Sequence, residues 1–169
     1  YVAIAPALFD RAEKGLDLGY GQDDFAKGRD TRGSLEEAGI IADTQAAINE
    51  AAKSGKVGIV GYCFGGAVSW MAATQCDGLA AASTFYGGGI HAKKGDTPKC
   101  PVIFNFGDKD GGIPLLQVHE IKEAHPDIPC YVYDDAGHGF CCDERESYNM
   151  GACERAHERT LTLFGEHIG

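Results

Sequence analysis

The stretch Val57-Gly58-Ile59-Val60-Gly61-Tyr62-Cys63-Phe64-Gly65-Gly66 limits the fold of this chain more tightly than any other. A short apolar strand runs into a glycine-flanked cysteine and then into a helix. The spacing is that of a G-x-S-x-G elbow with cysteine in the serine's place. A side chain on so sharp a strand-to-helix turn sits at strained backbone angles, so its neighbours must be small. Gly61 and Gly65 are expected to serve by lacking a Cβ that would clash. The helix N-terminus that follows aims unpaired N–H groups and positive potential at the sulfur, which favours a reactive thiolate. The plainer alternative is a glycine-punctuated turn holding a buried, inert cysteine.

Around this elbow the pattern alternates between strands and helices. Val2-Ala3-Ile4-Ala5, ended by Pro6, reads as a buried strand, with Tyr1 to Leu8 as its outer bounds. Asp10 to Gly33 is polar and glycine-rich and reads as a long loop. Ser34 and Glu37 have the spacing of a capping box. Ala38, Ile41, Ile48 and Ala52 follow at helical intervals, with Gly55 as a stop. Further strands are expected at Val57 to Val60, Leu79 to Phe85, Val102 to Phe106 and Cys130 to Tyr133. Helices are expected after the elbow, over Pro114 to Ala124, and over Ser147 to His167. In the last of these, Tyr148, Ala152, Ala156, Leu163 and Phe164 should face inward. Such alternation implies one α/β domain over residues 1–169, doubly wound about a parallel sheet with helices on both faces.

Charge narrows the partners. The net charge of −10 argues against nucleic acid and against an anionic membrane surface. No apolar run has the length of a membrane-spanning helix, and no secretory signal is present. Seven cysteines, an odd number outside a secretory context, point to a reducing cytoplasm rather than a disulfide framework. Cys130, Cys141, Cys142 and Cys153 lack the C-x-x-C pairing of zinc sites and read as packing or surface thiols. The glycines do not form a phosphate loop, since neither G-x-G-x-x-G nor a following G-K-[ST] occurs.

In a sheet of this kind, active residues gather beyond the C-terminal strand ends. Cys63, the acidic turn Gly107-Asp108-Lys109-Asp110 and His138 all lie there, in the order nucleophile, acid, histidine. Cysteine attacks a carbonyl carbon and leaves from a thioester; histidine moves the proton; a carboxylate holds the imidazole. Spacing alone leaves choices open. Asp108 competes with Asp110, and His91, His119 and His125 compete with His138.

The chain resembles the dienelactone hydrolases (carboxymethylenebutenolidases), a family of α/β-hydrolases, over nearly its whole length. The resemblance rests on Tyr1-Val2-Ala3-Ile4-Ala5-Pro6, the cysteine elbow and Phe85-Tyr86-Gly87. It continues through Gly107-Asp108-Lys109-Asp110-Gly111-Gly112-Ile113-Pro114, Ala136-Gly137-His138-Gly139-Phe140 and Tyr148-Asn149. The family's G-x-x-D-x-x-x-P motif falls on Gly107, Asp110 and Pro114, which selects Asp110, and the family histidine falls on His138. The resemblance implies hydrolysis of a small-molecule ester or lactone by Cys63, His138 and Asp110. It gives the Phe64 N–H a place in the oxyanion hole, makes Arg11 and Tyr86 substrate contacts, and calls for no metal or organic cofactor.

Two departures from the family pattern stand out. A second substrate-binding arginine is expected shortly after the histidine, where this chain has Cys142, with Arg145 one helical turn on. That points to a broader ester or lactone specificity. Family members also carry an N-terminal segment that supplies a strand between the first two seen here and a second oxyanion donor, so the chain reads as a fragment with its N-terminal strands missing. Two other readings compete. A glutamine amidotransferase-like cysteine protein would pair its histidine with a nearby glutamate, which Gly139 and Phe140 do not provide. A non-catalytic α/β binding scaffold would be separated from an enzyme by ester turnover lost on Cys63 substitution.

Overall fold

The computed structural model describes residues 1–169. Four parallel strands form one sheet in the order β1-β2-β3-β4: β1 Val57–Tyr62, β2 Leu79–Phe85, β3 Val102–Gly107 and β4 Cys130–Tyr133. The helices are α1 Gln22–Gly33, α2 Glu37–Ala51, α3 Phe64–Gln75, α4 Leu115–Ala124 and α5 Met150–His167. Because all strands are parallel, Cys63, Tyr86, Asp108 and Asp134 emerge along one edge of the sheet.

On the central strands β2 and β3, residues on both faces are buried, as a sheet covered on two sides requires. On β3, Phe104 packs beside Trp70 of α3, with ring centres 5.3 Å apart. The adjacent Ile103 points the other way and clusters with Ala81 and with Leu163 and Phe164 of α5. The sheet is therefore wound on both faces, as the sequence predicts. Buried polar groups on the α5 side are paired rather than orphaned. Tyr133 donates its hydroxyl to Asn105 Oδ1 at 2.8 Å, the Asn105 amide reaches the Thr84 carbonyl at 3.1 Å, and the Ser83 and Thr160 hydroxyls meet at 2.8 Å. No helix is long and apolar enough to cross a membrane.

Several sequence expectations fail before β1. Tyr1 to Leu8 forms no strand: residues 1–7 have no regular structure, and Tyr1, Val2 and Ile4 are exposed. A strand needs a pairing partner, and β1 is bonded only to β2. The expected loop over Asp10 to Gly33 is half helix. Helix α1 buries no residue, and its apolar residues share no face, so periodicity could not reveal it. Asp23 and Asp24 in its first turn and Arg32 in its last suit the helix dipole.

The capping box does not form. Glu36 stands at the N-cap of α2 without a side-chain cap bond, while the Ser34 hydroxyl donates back to the Thr31 carbonyl at 2.7 Å. The buried stripe of α2 is Ile40, Thr44 and Ile48, with Ile41 only at its margin. Helix α5 starts at Met150, where the Asn149 side chain accepts from the Ala152 N–H at 3.0 Å. Tyr148 is consequently outside the helix and exposed rather than inward-facing. Cys141 and Cys153, read as unpaired thiols, are joined as a disulfide between the loop after β4 and α5. Their separation of 12 residues carries no motif that a sequence reading could use.

Candidate active site

The elbow takes the strained form its sequence implies. Cys63 has φ 55° and ψ −112°, between the end of β1 and the start of α3. Such angles are unfavourable for a residue with a Cβ and persist only where the surroundings enforce them. The Cys63 N–H is held by the Phe85 carbonyl at 3.0 Å, and the Cys63 carbonyl accepts from Gly66 and Ala67 of α3 at 3.0 and 3.2 Å. A Cβ on Gly61 would strike the Gly65 backbone, which explains that glycine. A Cβ on Gly65 would meet open space, so the second obligatory glycine is Gly66, whose Cβ would run into the Phe85 carbonyl.

Three side chains converge at this turn. His138 Nε2 lies 3.0 Å from Cys63 Sγ, and His138 Nδ1 lies 2.8 Å from Asp110 Oδ2. Asp110 is fully enclosed, and its other oxygen accepts from the Gly112 and Ile113 N–H groups at 2.8 and 3.1 Å. Those bonds fix the carboxylate in the turn between β3 and α4. The neighbouring Asp108 does different work. Its carboxylate accepts from the Ala136 N–H at 3.3 Å and so ties the β3 turn to the loop that carries His138. His138 is further located by Ser147, which donates to its carbonyl at 2.7 Å, and by the Tyr86 ring 5.3 Å away.

The electrostatics favour a charged pair. Burial pushes the Cys63 thiol up, but the hydrogen bond and charge of His138, the Phe64 N–H and the charge of Arg145 together bring it below the ordinary value. His138 is raised to about 9, first by its hydrogen bond to Asp110 and then by that to Cys63. Three other thiols behave oppositely. Burial raises Cys76 and Cys100 and lifts Cys130 to about 11.

The remaining expected residues are placed as follows. The Phe64 N–H is at the first turn of α3 and faces the sulfur. Tyr86 is buried at φ 36°, with its ring against His138 and Phe140. Arg11 is not drawn to the other three. Its guanidinium makes a two-pronged contact with Asp43 of α2, at 2.6 and 2.8 Å. The arginine whose charge acts on Cys63 is Arg145, which packs along Gly139 and lies 5.3 Å over the Phe25 ring of α1. Arg145 was visible only as a residue near an expected arginine position, because a contact made through a turn leaves no spacing signal. A cavity of about 230 Å³ beside the elbow is lined by Arg32, Leu35, Phe64, Trp70, Ile90 and Lys93, among others.

A parallel sheet with a strained Cys63 turn after β1, Asp110 after β3 and His138 after β4 has the architecture of an α/β-hydrolase. The model of the dienelactone hydrolase family matches residues 1–168. A carboxymethylenebutenolidase of Pseudomonas putida is 33% identical over 175 residues, which cover 95% of this chain and 72% of that protein. A Synechocystis protein provisionally named a carboxymethylenebutenolidase is 33% identical over 183 residues, covering 97% of this chain and 74% of its own. The crystal structure of a provisionally named dienelactone hydrolase from Klebsiella pneumoniae superposes with a TM-score of 0.82 at 23% identity, over 95% of this chain and 73% of that one. The chain belongs to the dienelactone hydrolase family, and is a hydrolase acting on carboxylic esters or lactones.

Proposed function

We propose that this chain cleaves its ester or lactone through a thioester on Cys63, with His138 as proton carrier and Asp110 as its positioning residue. The observation that carries the proposal is the unbroken line from Cys63 Sγ to His138 Nε2 at 3.0 Å and from His138 Nδ1 to Asp110 Oδ2 at 2.8 Å.

The geometry supports the following sequence. The Cys63 thiolate attacks the acyl carbon, and the developing oxyanion is met by the Phe64 N–H at the positive end of α3. The carbon–oxygen bond then breaks, and the imidazolium of His138 gives its proton to the leaving oxygen. In the thioester the sulfur no longer carries charge, so one of the two interactions that raise the His138 pKa is gone. The imidazole is then free to take a proton from water, which attacks the thioester. The carbon–sulfur bond breaks, the acid departs and the thiolate–imidazolium pair returns. Asp110 holds one tautomer of His138 throughout. A small carboxylic ester or lactone is the substrate class, and the cation of Arg145 favours a substrate carrying negative charge near the elbow.

Rapid quenching after mixing with an activated ester, followed by peptide mass spectrometry, tests the proposal. The acyl group is expected on Cys63. An acyl group on any other residue, or hydrolysis that persists in Cys63→Ala, overturns it.

A further inference from the structure

Two of the cysteines without a role in the hydrolytic reading meet beside a histidine. Cys141, in the loop after His138, and Cys153, in the first turns of α5, are joined as a disulfide. His157 stands one helical turn beyond Cys153, with Nδ1 3.7 Å from Cys153 Sγ. The two sulfurs and an imidazole nitrogen lie within 4.8 Å of one another.

Three features of this cluster fit a metal. Two thiolates and an imidazole are the soft and borderline donors that zinc prefers. Zn–S bonds of about 2.3 Å and Zn–N bonds of about 2.1 Å at a tetrahedral angle place sulfur and nitrogen roughly 3.6 Å apart. The observed 3.7 Å needs almost no adjustment. The same geometry needs the two sulfurs roughly 3.8 Å apart, within reach of side-chain rotation from α-carbons 4.9 Å apart. The ring is also oriented from outside. His157 Nε2 lies 2.9 Å from the Tyr62 hydroxyl, so donating the Nε2 proton to Tyr62 leaves the Nδ1 lone pair facing the sulfurs.

We propose that Cys141, Cys153 and His157 form a zinc site that becomes available when the Cys141–Cys153 bond is reduced. A dithiol reductant supplies two electrons: its own sulfurs join, the protein disulfide opens, and both protein sulfurs end as thiols. Zinc binding then displaces the two thiol protons. Three protein ligands leave the fourth position to water. The metal ties the loop of His138 to α5 in the reduced chain, as the disulfide does in the oxidised one.

Cobalt(II) titration of the full chain tests this, because thiolate ligation gives sulfur-to-cobalt charge-transfer absorption that zinc abolishes by displacement. The experiment is done on Cys63→Ser, which removes the elbow thiol as a ligand and makes the result independent of the proposed nucleophile. After reduction and removal of the reductant, the protein is expected to bind one cobalt ion with thiolate absorption. The disulfide form binds none. Cys142→Ser leaves the titration unchanged, and Cys153→Ser or His157→Gln weakens it by about tenfold or more. His157 is partly solvent-exposed, so His157→Gln carries the test if Cys153→Ser does not fold, a point checked by thermal melting. Absence of thiolate absorption in the reduced chain, binding that survives His157→Gln unweakened, or binding lost with Cys142→Ser overturns the proposal.

Discussion

The segment before α2 and the segment from β1 onward obey different physics. No residue before Ile40 is buried, although Tyr1, Val2, Ile4, Tyr20 and Phe25 are all large and apolar. From Val57 onward every strand contributes buried side chains, and Phe104, Phe106 and Ile121 are wholly enclosed. The first region touches the site only through its surface, with Arg32 over the Phe64 ring at 5.2 Å and Phe25 beneath Arg145 at 5.3 Å. The second supplies the strained elbow, the enclosed carboxylate and the histidine. Strand ends fixed by a packed sheet hold the Cys63–His138–Asp110 line in place, whereas the first region, with no buried residue, has only surface contacts to offer it.

The largest effect that could break this contrast is on turnover. Cys63→Ala is expected to lower ester hydrolysis by about 10⁴-fold or more. Arg11→Ala, whose guanidinium is engaged by Asp43, should change it less than about threefold. Comparable losses in steady-state kinetics would give the first region a catalytic part.

Within the second region, Asp110→Asn is expected to cost about 10³- to 10⁴-fold in kcat, because the tautomer and cation of His138 lose their support. Asp108→Asn keeps an acceptor for the Ala136 N–H and should cost less than about tenfold. The reverse ranking would move the acid to Asp108.

Stability should divide along the same line. Phe104→Ala removes an enclosed ring and is expected to cost about 3–5 kcal/mol in denaturant unfolding. Phe25→Ala, on an exposed residue flanked by Arg29 and Arg145, should cost under about 1 kcal/mol. Equal costs would mean that the first region is packed more firmly than its exposure indicates.

The smallest expected effect falls where the regions meet. Arg145→Ala should slow alkylation of Cys63 near neutral pH by about two- to fivefold, since one of several influences favouring the thiolate is lost. Arg11→Ala should leave that rate unchanged.

Legibility in the sequence followed the same division. Leu79 to Phe85 and Cys130 to Tyr133 were readable to the residue, because each is a short apolar run bounded by turn residues, the first of them buried on both faces. Spacing alone left Asp108 beside Asp110 and three other histidines beside His138; the family resemblance selected Cys63, Asp110 and His138, three side chains that the fold brings into hydrogen-bond reach of one another. Val2 to Ala5 has the same apolar character yet forms no strand, since composition does not specify a pairing partner. Helix α1 stayed hidden because it has no buried face. The contacts of Arg145, Tyr62 and His157, and the Cys141–Cys153 bridge, arise between segments distant in sequence, where no local pattern records them.

The proposed mechanism starts from Cys63 and His138 as a thiolate–imidazolium pair. Alkylation of Cys63 followed against pH, with neutral iodoacetamide and anionic iodoacetate in parallel, tests it most directly. A lowered thiol pKa means that the rate rises with its midpoint below that of an ordinary, unassisted thiol. The positive imidazolium favours the anionic reagent, and because His138 is raised to about 9, that preference should fall as pH rises through about 9. His138→Ala should abolish the preference and move the thiol midpoint up. A midpoint at or above the free-thiol value, with the two reagents keeping one ratio at every pH, would contradict the charged pair and with it the proposed mechanism.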